Sequence, residues 1–328
     1  MLDLLNHPRV RQLLTLAFLT GALVCMFPLG TYPMKWWARH AEHITLGYLA
    51  LGLVFLVLNN SRLMFVCFGC SAAISFFLSE KTNPKIKDAT PTDMPFVKVA
   101  HFNVNSSEGQ VADFMQSILA READVIALEE VTPGWDSVLI HTLGPQYPHY
   151  SCISGLVNGL AVFSRFPLVL VDTFYYQEMP NLAVSLRPED FDRDIWVINS
   201  LTKPPLSGSS FESLKGHLER ISFFANKVGA PVVTVGDYNS VSWSPEIIEF
   251  RKATRLSDSR RGIKPTEPDG RFPLFNVPVD HIFYSTDFFD CLRFETISNP
   301  HNDHIGIESV LQMKAKAPVI MDKSMLFW

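Results

Sequence analysis

The sequence predicts an α/β sandwich domain preceded by three transmembrane helices, and two patterns in the chain support this. The first 79 residues contain three apolar runs that are almost free of charge. From residue 96 onward, short strand patterns alternate with amphipathic helix patterns, as in layered α/β folds. The predicted organisation is a membrane anchor over residues 1–80, a linker over 81–95, a folded domain over 96–313 and a C-terminal tail over 314–328.

The three apolar runs cover residues 12–29, 44–61 and 63–79. Each has about the minimum length of a helix that crosses a hydrocarbon core of about 30 Å. A cleaved signal peptide is the alternative for the first run, but no A-x-A-like site follows it and two more apolar runs do. We therefore expect retained helices, with the two chain ends on opposite sides of a membrane. The distribution of Lys and Arg gives no clean orientation.

The charge of the predicted domain limits its partners. Residues 94–313 contain 17 basic and 27 acidic residues, whereas non-specific nucleic-acid binders usually carry a basic surface. A local basic groove remains compatible with this balance. No protein partner is predicted. Cys152 and Cys291 could form a disulfide only if the fold brings them together, which the sequence leaves open.

Polar side chains follow several of the predicted strands at the point where each strand ends. The predicted strands cover residues 97–102, 124–128, 160–163, 195–199, 232–235 and 281–284, and the predicted helices cover 111–120 and 214–228. The polar residues at or near strand ends are Asn103, Asn105, Glu130, Asp237, Asn239, Asp280, Asp303 and His304. Oxygen ligands gathered in this way suit Mg²⁺ or Mn²⁺ rather than structural zinc. Taken singly, each of these residues is more typical of a turn, a helix cap or a solvated loop.

Six stretches in order resemble the endonuclease/exonuclease/phosphatase superfamily. They are Phe-Asn-Val-Asn at 102–105, the strand and acidic pair at 124–131, residues 159–168, Gly-Asp-Tyr-Asn at 236–239, Val-Asp-His at 279–281 and Asn-Asp-His at 302–304. The resemblance covers about two thirds of the chain. It implies a four-layer α/β sandwich and a metal-dependent phosphoric ester hydrolase. The helices in front resemble a bacterial branch that is anchored in the inner membrane with its domain in the periplasm.

The resemblance also implies roles for the polar residues. Glu130 and Asp303 would hold Mg²⁺ or Mn²⁺, with Asn103 and Asn105 in the same shell. The catalytic residues would be Asp237, Asn239, Asp280 and His304. Asp237 would position or deprotonate the attacking water, and Asn239 would steady the phosphate or the nucleophile. His304 would contact the scissile phosphate while Asp280 orients its ring.

One position departs from the family pattern. The family usually has His-Thr-x-Pro-Pro after the central strand, whereas this chain has Leu201 followed by Thr202, Lys203 and two prolines. Leucine cannot donate to a phosphate oxygen, and the loss of one such donor typically lowers a rate by about 10²–10³. Thr202, Lys203 or His101 could supply a substitute. Two hypotheses follow: a phosphoesterase acting on a lipid, small-molecule or nucleic-acid phosphoester, or an impaired member that binds a phosphorylated ligand or partner.

Overall fold

Four helices precede the sandwich in the computed structural model, which describes residues 7–83, 88–104, 111–229, 231–266, 276–298 and 304–315. They are α1 (Pro8–Met26), α2 (Tyr32–Arg39), α3 (Ala41–Val57) and α4 (Ser61–Thr82). The turn between α3 and α4 ends at Asn60, whose side-chain oxygen accepts a hydrogen bond from the Leu63 amide at 3.3 Å and caps α4. The two helices form the hairpin that the apolar runs predict.

Two of these helices, α1 and α4, are each long and apolar enough to cross a membrane. The pair α2 and α3 passes the same test only if it is one span with a bend of 70°. The described helices therefore provide two or three candidate spans where the sequence predicts three. The helix α2 was not predicted. The predicted linker and tail stay predictions, and parts of both lie outside the described residues.

The domain contains two six-stranded sheets. The first sheet consists of β1 (Phe96–Asn103), β2 (Val125–Glu129), β3 (His149–Ile153), β4 (Leu160–Ser164), β11 (Phe289–Ile297) and β12 (Gly306–Met313), in the order β11-β12-β1-β2-β4-β3. The second sheet consists of β5 (Leu168–Tyr176), β6 (Met179–Leu186), β7 (Ile195–Ser200), β8 (Val232–Asp237), β9 (Leu256–Asp258) and β10 (Asp280–Ser285), in the order β5-β6-β7-β8-β10-β9. All six strands predicted from the sequence are present.

Helices cover the outer face of each sheet. The first sheet packs on α5 (Val111–Leu119) and α6 (Pro133–Leu143), and the second on α7 (Gly208–Val228) and α8 (Pro245–Thr254). Between the sheets lies a core of aliphatic side chains such as Val99, Val125, Val197 and Val235. Because apolar residues face both sides of the central strands, those strands are buried along their length. The α/β sandwich prediction is confirmed.

Strand pairing places the polar strand ends together. The strands β1 and β2 are parallel, with Asn103 opposite Glu129, and β7 and β8 are also parallel. The antiparallel pairing of β8 and β10 puts Asp237 directly opposite Asp280. The polar residues that follow β1, β2 and β8 therefore meet at one rim of the sandwich. Cys152 in β3 and Cys291 in β11 lie in strands at opposite edges of the first sheet, and both are free.

Candidate active site

The loop after β8 holds the Asp237 carboxylate in a fixed position. The Asn239 backbone amide donates to Asp237 Oδ1 at 2.7 Å, and Asn239 Nδ2 donates to Asp237 Oδ2 at 3.0 Å. The same Nδ2 donates to the Thr202 carbonyl at 2.8 Å, which ties the loop to the segment after β7. Asn239 adopts a left-handed backbone conformation with φ of +49°, which asparagine tolerates better than most residues. Asn239 thus fixes the orientation of the Asp237 carboxylate.

A buried glutamate joins the two sheets directly beneath this loop. Glu129 is fully buried, and its carboxylate accepts the Asp237 backbone amide at 3.0 and 3.1 Å. The neighbouring Gly236 has φ of +145°, and a Cβ there would overlap Ser200 O and Glu129 Oε1. Glycine is needed at this position because the backbone must approach the carboxylate so closely. Burial raises the pKa of Glu129, and the nearby His101 opposes that rise.

A second buried carboxylate supports His304. Asp280 is fully buried, and both of its carboxylate oxygens lie 3.3 Å from His304 Nδ1. Burial is the largest single influence and works against the negative charge, but His304, His101 and Thr266 together hold the pKa of Asp280 well below its ordinary value. The Arg260 guanidinium donates to the Asp280 backbone carbonyl. An ionised carboxylate at Nδ1 fixes the orientation of the imidazole ring, so that Nε2 lies on the side of the ring away from Asp280.

His101 is part of this buried network and is not among the described residues that line the cavity at the rim of the sandwich. Its Nε2 lies 3.3 Å from Glu129 Oε2 and its Nδ1 lies 3.7 Å from Asp280 Oδ1, and the residue is 1% exposed. The sequence-based idea that His101 replaces the missing family histidine at the substrate is therefore wrong. His101 instead lies between the two carboxylates that support Asp237 and His304.

An open cavity of about 530 Å³ lies at the rim above these carboxylates. Glu130, Asp237, Asn239 and His304 line it. Glu130 has φ of +57°, and its Oε1 accepts a hydrogen bond from Asn103 Nδ2 at 2.7 Å. The carboxylate of Glu130 is thereby oriented, as the ligands of a metal usually are by their neighbours.

The cavity also contains the position that departs from the family pattern. Leu201 lines the cavity and packs into the core between the sheets, with 7% of its surface exposed. Lys203 and Thr202 line the same cavity. The side chain of Lys203 is 48% exposed, and its Nζ lies 4.0 Å from Glu178 Oε2. Lys203 is therefore the lysine at the cavity that could approach an anionic ligand.

Four of the eight candidate residues line this cavity, namely Glu130, Asp237, Asn239 and His304. Asn103 contacts Glu130 and Asp280 contacts His304, whereas the remaining two, Asn105 and Asp303, lie outside the described residues. Within the described part of the chain, Asp237, Asp280 and His304 offer ligand atoms that all lie within 4.8 Å of one another. These two carboxylates and the imidazole are oxygen and nitrogen donors of the kind that bind a divalent cation, and Glu130 lines the same cavity as Asp237 and His304. The predicted metal ligands Glu130 and Asp303, with Asn103 and Asn105, differ from this cluster, and their assignment stays a prediction because Asp303 and Asn105 lie outside the described residues.

The sequence contained a signal for Glu129 that the prediction did not use. Val125, Ala127 and Glu129 are two residues apart in one strand, so their side chains lie on the same face. Val125 and Ala127 belong to the core between the sheets. A carboxylate on that face must be buried and must find partners there. The alternation of side chains along the strand therefore predicts a buried carboxylate at Glu129, next to Glu130 in the sequence.

The described chain is thus a two-sheet α/β sandwich with carboxylates and a histidine lining a cavity at one rim. The family model described as Endonuclease/Exonuclease/phosphatase family matches residues 100–302, and the chain belongs to this family. Its members are usually hydrolases that act on phosphoesters. A search of curated proteins found no match to this chain.

Solved structures share the fold at low sequence identity. An endonuclease/exonuclease/phosphatase from Beutenbergia cavernae is 19% identical with a TM-score of 0.56, over 68% of this chain and 73% of that one. A protein of the same description from Bacteroides vulgatus is 16% identical with a TM-score of 0.57, over 67% and 100% of the two chains. A sphingomyelinase C from Streptomyces griseocarneus is 14% identical with a TM-score of 0.51, over 66% and 99%.

Proposed function

We propose that the protein is a divalent-metal-dependent phosphoesterase that hydrolyses a phosphomonoester or phosphodiester at a membrane surface. The observation that carries this proposal is the approach of Asp237, Asp280 and His304 to within 4.8 Å at a cavity that Glu130 also lines. Binding alone would not require a buried carboxylate behind the histidine. Oriented acid–base groups of this kind are what hydrolysis requires.

Asp237 is the residue that we assign to the attacking water. Its carboxylate is held by two hydrogen bonds from Asn239 and is only 4% exposed, so it enters the cavity in one orientation. A positioned general base contributes about 10²–10⁴ to a rate. His304 is assigned to a phosphate oxygen or the leaving group. Asp280 lies at its Nδ1, so Nε2 is the ring nitrogen that we assign to the substrate.

A divalent cation would be held by Glu130 and Asp303, with Asn103 and Asn105 beside them. When bound, Mg²⁺ or Mn²⁺ offsets the negative charge of the phosphoryl group. Asn103 supports this assignment because its Nδ2 donates to Glu130 Oε1 and so leaves the other carboxylate oxygen, Oε2, for the cation.

Chelation tests the metal dependence of this function. The full-length chain in detergent should hydrolyse bis(p-nitrophenyl) phosphate in the presence of Mg²⁺ or Mn²⁺. EDTA should reduce turnover to the level of a blank, and excess metal should restore it. Release of p-nitrophenolate measures the rate. Turnover that persists after EDTA and dialysis would contradict the assignment of Glu130 and Asp303.

A second candidate function is binding of a phosphorylated ligand without turnover, and Leu201 favours it. The Leu201→His substitution separates the two. If a missing donor limits the rate, the histidine should raise kcat by about 10²–10³. Leu201→Met is the matched control, because it keeps an apolar side chain of similar volume in the core. An active wild type with no gain from histidine would indicate that Thr202 or Lys203, which line the same cavity, supplies the donor. An inactive wild type with no gain would indicate a binding role.

We also propose that α1, α3 and α4 anchor the chain in a bacterial inner membrane, and that the domain lies on the periplasmic side together with α2, which is bent by 70° relative to α3. Three spans place the domain opposite the N-terminus, and the resemblance to the bacterial membrane-anchored branch supports the periplasmic side. The excess of acidic residues over basic ones in residues 94–313 makes a lipid or small phosphoester a better candidate substrate than nucleic acid.

A further inference from the structure

The short helix α2, which links two apolar helices, packs directly on the loop that carries the catalytic candidates. This loop runs from Asn239 to Ser244 and leads into α8. The Trp243 indole Nε1 donates to the Ala38 carbonyl at 2.8 Å, and Trp243 is 2% exposed. About two hundred residues separate the two contacting segments in the chain. The contact is therefore a long-range tertiary interaction.

A buried ion pair reinforces this contact. Lys35 Nζ lies 2.5 Å from Glu246 Oε1, with side-chain exposures of 12% and 5%. The same ammonium lies 4.5 Å from the centre of the Phe211 ring, so α7 also contributes to its surroundings. Glu246 lies in the first turn of α8, where its charge also complements the helix dipole. Both charges are largely removed from water, so a movement of α2 that separated them would leave an unpaired buried charge. The ion pair therefore stabilises the position of α2.

Arg39 connects α2 to the active site itself. Its Nη1 donates to the Asn239 backbone carbonyl at 3.3 Å. The amide and side chain of Asn239 hold both oxygens of Asp237. At the next residue of the loop, His281 Nε2 lies 2.9 Å from the Ser240 carbonyl. The loop is thus held by His281 of the second sheet and by Arg39 of α2, and Asn239 contacts both the Arg39 guanidinium and the proposed general base Asp237.

We propose that α2 is a positioning element of the active site and that Arg39 is its principal positioning residue. Arg39 fixes the peptide of Asn239 in its left-handed conformation, and Asn239 in turn orients the Asp237 carboxylate. The N-terminal helices are then more than a tether, because their loss would remove one of the supports of the catalytic loop. This inference rests on the proposed function. It predicts an effect on turnover rather than on substrate affinity, since Arg39 is absent from the cavity lining among the described residues.

The test compares full-length variants in the same detergent. Arg39→Ala should lower kcat by about 10- to 100-fold with little change in KM, because a small displacement of a catalytic group has an effect of this size. Arg39→Lys should recover most of the rate, since lysine keeps a cationic donor. Arg62→Ala is the matched control, because Arg62 is an exposed arginine at the start of α4. Equal kcat values for Arg39→Ala and Arg62→Ala would overturn the inference.

Amide hydrogen exchange provides a readout that does not need turnover. Peptides that cover residues 238–246 should exchange faster in Arg39→Ala than in wild type or Arg62→Ala, because the loop loses one of its supports. Unchanged exchange would overturn the docking of α2 even if the enzyme were active. An inactive wild type with faster exchange in Arg39→Ala would contradict the proposed function and the positioning role of Arg39, while leaving the contact itself supported. The two proposals can therefore fail separately.

Discussion

Asp237→Asn is expected to lower kcat by about 10²–10⁴, because an amide cannot accept the proton of the attacking water. The substitution keeps the size and shape of the side chain. It also places an NH₂ group against the Asn239 amide and Nδ2, which now donate to the two carboxylate oxygens. Two donors that face each other cannot form a hydrogen bond, so the side chain at position 237 would be held less firmly. This would lower kcat further. The measurement is kcat for bis(p-nitrophenyl) phosphate with the full-length chain.

The matched control for this substitution is Asp192→Asn. Asp192 is an exposed aspartate whose carboxylate pairs with the neighbouring Arg193 at 2.8 Å. We expect its kcat to equal that of wild type, because a surface ion pair contributes little. Circular dichroism should give the same helix and strand content for both variants. If Asp237→Asn keeps more than a tenth of wild-type kcat, Asp237 is not the general base.

Gly236→Ala is expected to have the largest effect on stability. The Cβ would overlap the Ser200 carbonyl and the buried Glu129 carboxylate, and φ of +145° is strained for any residue with a side chain. Strain and overpacking each cost about 1–3 kcal/mol, so the combined loss is about 2–6 kcal/mol. Since stabilities of domains are of the same order, much of the variant should be unfolded or show a strongly lowered Tm. The measurement is thermal unfolding in detergent.

Gly208→Ala is the matched control for Gly236→Ala. Gly208 is the first residue of α7, and a Cβ there would meet no described atom within 4 Å. Alanine favours a helix over glycine, so its Tm should equal or slightly exceed that of wild type. Equal Tm values for Gly236→Ala and Gly208→Ala would show that the backbone at Gly236 leaves room for a Cβ beside the Glu129 carboxylate and the Ser200 carbonyl.

The strands that the sequence predicts are those with the clearest local signals. The runs that became β2, β4 and β8 are short, apolar and bounded by polar residues, so their type follows from composition alone. The hairpin of β5 and β6 was missed for a physical reason. Its turn has Gln177 in a left-handed conformation with φ of +53°, where a sequence reading looks for glycine or asparagine.

Helices with good start signals were also missed. The helix α8 begins after Ser244, whose side chain accepts the Ile247 amide at 3.3 Å, and has proline at its first position. The helix α6 likewise begins with Pro133 after Thr132. Both carry the sequence signature of a helix N-terminus.

The candidate site was predictable only in part, because its contacts are of two kinds. The two-residue spacing of Asp237 and Asn239 is local and is visible in the sequence. The position of Asp280 opposite Asp237 depends on the register of β8 and β10, and the sequence gives no direct measure of that register. The contacts of His101 with Glu129 and of Arg39 with Asn239 join distant parts of the chain. Such contacts follow from the whole fold.

The most direct measurement of the central claim is the anomalous difference density of Mn²⁺ in crystals of the full-length protein grown with inorganic phosphate. We expect one strong peak in the cavity lined by Glu130, Asp237 and His304, at bonding distance from a Glu130 carboxylate oxygen and beside a bound phosphate. The Glu130→Gln variant, which keeps the size of the side chain, should lose the peak. A peak elsewhere, or a cavity without Mn²⁺ at saturating metal, would contradict the account.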